Sequence, residues 1–184
     1  MTGQTPSRSR DFPVSAFAQS FHSAATPETG RMSKLSRYVA ENNCYHVTTK
    51  TKGNAPLFRD AANADIVVRA LQFLRIDRAY LLGYVLMPDH LHVVLIPRGD
   101  QTISRLMRTI KGYVSRVINS ERGATGSLWQ PSFHDRVMRN ERHLLETLDY
   151  IHRNPLVAGL VMSPEEYRHS SAHLEAQTDL DLFL

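Results

Sequence analysis

Two histidines separated by a single leucine, His90 and His92, open the apolar run His90–Ile96 (HLHVVLI). The run is short and rich in branched residues, which predicts a strand. Side chains alternate along a strand, so both imidazoles leave one face with their Cα atoms roughly 7 Å apart. Leu91, Val93 and Leu95 then point to the opposite face, towards the helices. Two imidazoles so placed can grip one divalent metal ion; they can equally be polar residues on a half-exposed strand. A third ligand would separate the two readings, and the helical stretch Glu141–Asn154 offers one. Its apolar stripe is Leu144, Leu145, Leu148 and Ile151. Tyr150 and Asn154 fall off that stripe and sit one turn apart on a single face. The pair supplies a phenol and an amide oxygen, or else a surface tyrosine and a residue at a helix end before proline. Spacing leaves both possibilities open.

The elements that position these residues follow from pattern. Cys44–Thr49 is β-branched and aromatic, so a strand. Asp60 or Asn63 can cap a helix running to about Ile76, with Ile66, Val67, Ala70, Phe73 and Leu74 on one face. Ala79–Met87 is almost continuously apolar and reads as a buried strand. Pro88 and Asp89 turn the chain into His90–Ile96, forming a hairpin. Thr102–Asn119 is a helix with Ile103, Leu106, Met107, Ile110, Val114 and Val117 inward. Arg105, Arg108, Lys111 and Arg116 lie opposite, as a phosphate-binding face or an ordinary solvated one. Leu128–Met138 reads as an irregular strand with Pro131 at an edge or bulge. Asn140 caps a last helix, stopped by Pro155. The order β-α-β-β-α-β-α predicts an α+β fold: a ferredoxin-like split βαβ unit with an antiparallel sheet, helices on one face, the other face free, and one added C-terminal helix. That fold hosts many functions and settles none by itself.

The chain has 184 residues, enough for one domain with a real core and too few for separate motor, recognition and nuclease domains. Residues 1–34 are rich in small and polar types and predict a flexible arm; 35–160 are expected to form the main folded domain and 161–184 a C-terminal extension. One cysteine, Cys44, excludes an internal disulfide or a multi-cysteine zinc site and fits a reducing cytoplasm. No stretch is long and apolar enough for a membrane span. The net charge is +4, and only four of the 22 basic residues are lysine. An arginine excess favours a phosphate-bearing partner, because the planar guanidinium matches phosphate geometry, although a G- and C-rich genome also inflates arginine.

Three segments in this order, MPDHLH at Met87–His92, GSLWQPSF at Gly126–Phe133 and LDYIHRNP at Leu148–Pro155, closely resemble the single-tyrosine HUH transposases. More narrowly they resemble the REP-associated tyrosine transposases. The similarity spans about Tyr45 to Ser171, with YHVTTKT early and EEYRHSS late. The HxH pair alone is a weak signal; the three segments in this order and spacing are a strong one. The resemblance implies that His90, His92 and Asn154 hold Mg²⁺ or Mn²⁺ and that Tyr150 is the nucleophile. It implies a nickase and strand transferase acting on single-stranded DNA beside imperfect palindromic hairpins, through a 5′-phosphotyrosine intermediate. The arginines of the second helix, with Lys111, would hold backbone phosphates. A monomer is the expected state, with a dimer as the alternative. Asp89 stands where the family often has asparagine, and Ser132 where an arginine commonly precedes the phenylalanine.

Two other classes compete. A non-catalytic nucleic-acid-binding module shares the fold, but the aromatic strand motif of RNA-recognition domains is missing. A metal-dependent hydrolase needs a carboxylate base near the histidines, and strand alternation expects Asp89 on the other face from His90. Of the remaining residues, His46, His134, His143 and His152 can approach the sheet without being assigned as ligands. Tyr113 is expected in the core, and Trp129 is expected to be packed.

Overall fold

The structure, a computed structural model, describes residues 44–183. The arm expected over residues 1–34 lies outside the described residues. Four strands and three α-helices follow in the order β1 (Tyr45–Lys50), α1 (Ala61–Asp77), β2 (Ala79–Met87), β3 (His90–Pro97), α2 (Ile103–Arg122), β4 (His134–Val137) and α3 (Glu141–Val157). All pairings are antiparallel and the sheet order is β2-β3-β1-β4.

The helix starts obey local chemistry. Asp60 accepts a hydrogen bond from the Ala62 amide, Thr102 from that of Arg105, and Asn140 from that of His143, so each helix begins on a side-chain cap. Asn63, the other capping candidate for α1, instead donates to the Leu57 carbonyl. Gly123 ends α2 with φ at 60°, the left-handed geometry that a glycine adopts without Cβ strain.

The alternation of the strands sorts their side chains onto two faces. Val47, Leu91, Val93 and Leu95 pack with Ile66, Leu71 and Leu74 of α1 and Leu106, Met107, Ile110 and Val114 of α2. The opposite face carries Val85, Met87, Val94 and Ile96 against Leu144, Leu148 and Ile151 of α3. The free sheet face expected from the pattern is therefore half covered. Gly83 explains how closely α3 sits: a Cβ there would collide with Leu148 Cδ2 and stand 3.3 Å from Ser171 Oγ. The register shifts by one residue between Leu81 and Gly83, where β2 bends.

Residues beyond α3 return along the free edge of β2. The Leu86 amide donates to the His169 carbonyl, the Ser171 amide to Tyr84 and the Asp179 amide to Leu81. The Asp179 carboxylate accepts from the Leu81 amide and pairs with Arg75 at 2.8 Å, and Phe183 enters the second core. This strap satisfies backbone groups that an edge strand otherwise leaves exposed.

Four sequence-based expectations need correction. Pro155 does not stop α3. It sits buried in the last turn, and the helix continues to Val157, because so near the end the missing N–H forfeits a single hydrogen bond. The expected strand Leu128–Met138 splits in two. Trp129 bridges Thr51, the chain leaves the sheet at Pro131, and regular pairing resumes only at His134. Phe73 is half exposed, with Arg78 stacked over its ring, while Leu71 takes the core position. Tyr113 is 40% exposed, since its place at the margin of the α2 stripe turns it outward. Trp129 is buried as expected and packs on Phe58.

Candidate active site

The site forms where β3 and β1 lie beside α3. His90 and His92 project from the same sheet face, with ring centroids 4.9 Å apart. Tyr150 projects from α3 towards them, its ring edge-on to His92 at 6.1 Å, and it is 57% exposed. The apolar stripe of α3 is anchored on β2, so the off-stripe residues are the ones facing the histidines and solvent.

Both imidazoles are held from behind. Asp89 Oδ1 accepts a hydrogen bond from His90 Nδ1 at 2.6 Å. A carboxylate in that position keeps the proton on Nδ1 and leaves Nε2 with a free lone pair. His92 Nδ1 lies 2.9 Å from Thr48 Oγ1 and 3.1 Å from His46 Nε2. Either can accept its proton, which again frees Nε2. The sheet register makes this arrangement, because Thr48 is directly opposite His92 and His46 opposite Val94.

Strand alternation misjudged Asp89. It belongs to the two-residue turn between β2 and β3, where alternation does not apply, so its carboxylate swings onto His90. It meets the ring nitrogen on the far side from Nε2, which suits an orienting partner and not a base for a metal-bound water.

Burial keeps His92 neutral. Its pKa falls to about 3, first through desolvation and then through repulsion from His90, His46 and Lys50. His46 falls to about 4 through burial, with Arg136 and His143 adding repulsion. A neutral imidazole is the form that ligates a metal.

Asn154 lies one turn beyond Tyr150. Its side-chain Nδ2 is fully buried without a hydrogen-bond partner. A half-turn about χ2 would present its oxygen instead. Among the described residues, no three His, Cys, Asp or Glu side chains form a metal-binding group. A site on His90 and His92 must therefore take its third protein ligand from an amide, a hydroxyl or the backbone. An orphaned buried amide on the helix that carries Tyr150 fits that need.

The basic residues of α2 are not brought to this site. They belong to the layer on the other side of the sheet. Arg108 and Arg116 are exposed. Arg105 pairs with Asp100 at 3.1 Å. Lys111 turns inward and donates to the carbonyls of Gln130, Pro131 and Ser132, and burial lowers its pKa. Thr48 as a neighbour of His92 was missed from sequence, and His46 was named only as able to approach the sheet; their period-two spacing in YHVTTK was visible, but their register against His92 was not.

The family pattern described as Transposase IS200 like matches residues 39–154. The REP-associated tyrosine transposase of Escherichia coli (strain K12) is 23% identical over 151 residues, covering 81% of this chain and 88% of that protein. A solved REP-associated tyrosine transposase bound to a REP hairpin superposes with a TM-score of 0.58 at 20% identity, over 79% of this chain and 82% of that one. The last likeness supports the fold.

Proposed function

The chain belongs to the IS200-like transposase family, and from that premise we propose that it nicks and rejoins single-stranded DNA through Tyr150. The fold is read as the ferredoxin-like split βαβ unit, whose sheet order it shares. The observation that carries the mechanism is the approach of Tyr150 to His92 beside the orphaned Asn154 amide.

His90 and His92 through Nε2, and Asn154 through its amide oxygen, are the residues that would hold Mg²⁺ or Mn²⁺. When bound there, such an ion would supply charge neutralisation at the phosphate oxygens and would orient phosphorus for in-line displacement. Two nitrogen donors favour Mn²⁺ over the strictly oxygen-preferring Mg²⁺.

Tyr150 is the nucleophile in this reading. Its exposure leaves room for a strand to lie against the phenol. The attacking hydroxyl must lose its proton as its oxygen bonds to phosphorus. The Oη–phosphorus bond forms as the bond to the 3′ oxygen breaks. The products are a 5′-phosphotyrosyl strand and a free 3′ hydroxyl. Because the phosphodiester is exchanged and not hydrolysed, a 3′ hydroxyl reverses the step without ATP. The substrate is a single strand beside an imperfect hairpin, and Arg105, Arg108, Lys111 and Arg116 are proposed to meet the phosphates of that hairpin. Lys111 does so only after releasing the carbonyls it now holds.

The test is direct. Incubation with single-stranded oligonucleotides carrying hairpins from the chain's own genomic neighbourhood, plus Mn²⁺, is expected to yield a covalent adduct. Mass spectrometry places the phosphotyrosine on the peptide containing Tyr150. Tyr150→Phe removes only the hydroxyl, so adduct and nicking vanish together while the thermal midpoint stays. An adduct on another tyrosine, or nicking by the phenylalanine variant, overturns the assignment.

A further inference from the structure

The sheet face that carries the histidines continues to the far edge. Strand register lines up His92, Thr48 and His134 in one row, and Val94, His46 and Arg136 in the next. α3 packs on β2 and β3 and, through its first turns, on Cys44 and Met138 at one end of β1 and β4. Past that end, His46 and Thr48 of β1 are half-buried and His134 and Arg136 of β4 are exposed, with α3 as one wall. At the head of that trough is a groove of about 840 Å³, lined by Arg136, Arg139, Arg142, His143 and Glu146 among others.

The charges of the groove are mostly unspent. Arg142 pairs with Glu146 at 2.8 Å. Arg136 and Arg139 are exposed, and their guanidinium groups make no ion pair or hydrogen bond among the described residues. Arg136 stands directly opposite His46 in the sheet and lines the groove together with His143, so the groove borders the group behind His92. His143 and Tyr150 are seven residues apart on α3, a rise of about 10 Å. That is within the span of a few nucleotides.

We propose that this groove is the track for the sugar–phosphate backbone of the single strand adjoining the scissile phosphate, with Arg136 and Arg139 as its phosphate clamps. The occupant is an anionic chain because the free groups are guanidiniums, which match phosphate oxygens in bidentate fashion. It is a single strand because the α3 wall of the groove runs to Glu146, one turn before the proposed nucleophile Tyr150, and there the backbone must be splayed from its partner for attack. Contacts of this type position the strand without reading its sequence. The basic face of α2 cannot serve this strand, since the sheet separates the two. The inference rests on the nickase reading above and adds the route by which the strand reaches Tyr150.

The experiment measures binding of a fluorescent dT₂₀ strand by anisotropy, in EDTA, from 50 to 200 mM salt. Arg136→Gln combined with Arg139→Gln is expected to weaken binding about tenfold or more at low salt. Each lost phosphate contact reduces the log–log salt slope by about 0.7. Arg136→Lys with Arg139→Lys keeps the charge and should keep most of the slope, at an unchanged thermal midpoint. Adduct formation on Tyr150 is followed in parallel with a hairpin-flanked strand and Mn²⁺. If the wild type forms the adduct and the glutamine variant binds dT₂₀ with unchanged affinity and slope, the groove is overturned and the nickase reading stands. Equal weakening towards a blunt hairpin without single-stranded flanks overturns the assignment to the single strand. A wild type that neither binds dT₂₀ nor forms an adduct overturns both.

Discussion

The two faces of the sheet are built from alternate residues of the same four strands, yet they differ in kind. Towards α1 and α2, β1 and β3 present Val47, Leu91, Val93 and Leu95 to two amphipathic helices, and the contact is almost wholly apolar, with Thr49 buried among it. Towards α3, the apolar patch stops midway. Val94 and Ile96 lie under the helix, and then His90, His92, His46 and Thr48 take over. One face is given to stability and the other is shared between packing and chemistry. The difference teaches that substitutions one residue apart on β3 should fail in different ways.

The largest contrast tests that division. Leu106→Ala empties a fully buried position on the sealed face and is expected to cost about 2–5 kcal/mol, seen as a lower midpoint in urea, with little effect on turnover of the molecules that remain folded. His90→Ala or His92→Ala is expected to abolish nicking while hairpin binding and the urea midpoint of the metal-free protein change little. If the histidine variants lose stability as Leu106→Ala does, the faces are not divided in this way.

A smaller effect sharpens the site itself. Asp89→Ala removes the acceptor behind His90, so the imidazole loses its tautomeric preference. Mn²⁺ affinity, followed by electron paramagnetic resonance of the free ion, should fall about 10–100-fold, with Asp89→Asn intermediate because an amide oxygen still accepts. Unchanged affinity in both variants removes Asp89 from the metal site.

The mixed face should also be the acid-sensitive one. His152 on α3 is half-buried, with Nε2 2.7 Å from Ser171 Oγ, and its partial burial lowers its pKa to about 4. Folded His152 stays unprotonated until about pH 4, while the unfolded chain takes up a proton near pH ~6.5. Unfolding therefore binds protons between those limits, and stability falls as the pH drops through that window, with nothing lost above it. His46 and His92 act in the same direction. Thermal midpoints from pH 7.5 to 4.5 should decline, and His152→Gln should flatten the decline. A curve of the same steepness in that variant assigns the acid sensitivity elsewhere.

The smallest effect concerns the far layer. Arg108→Gln with Arg116→Gln should weaken binding of a hairpin modestly and lower the salt slope, leaving adduct yield at saturating DNA unchanged, because α2 stands across the sheet from Tyr150. A loss of adduct yield at saturation would place the α2 face nearer the chemistry than the fold allows.

By itself the sequence determined the elements and their order. Each strand and helix carries its own period and caps: Asp60, Thr102 and Asn140 stand where the helices begin, and the apolar runs of β2 and β3 flank a proline turn. These are signals of short range, carried by adjacent residues. His90, His92 and Tyr150 were legible for the same reason, since alternation along a strand and the stripe of a helix say which way a side chain leaves its own element. What lies opposite was decided only in three dimensions. That Thr48 and His46 stand behind His92 depends on the register of β1 against β3, forty-odd residues away in the chain. That Asp89 reaches His90 depends on a turn, where no period applies. That α3 sits close enough to bring Tyr150 to the histidines depends on the missing side chain of Gly83 and on a strap from residues 163–183. That Lys111 is spent on the carbonyls of residues 130–132, while Arg136 and Arg139 stay free beside the site, follows from where a proline pulls the chain out of the sheet. Register, turns and close approaches are set by the sum of many distant contacts, and no local pattern encodes that sum.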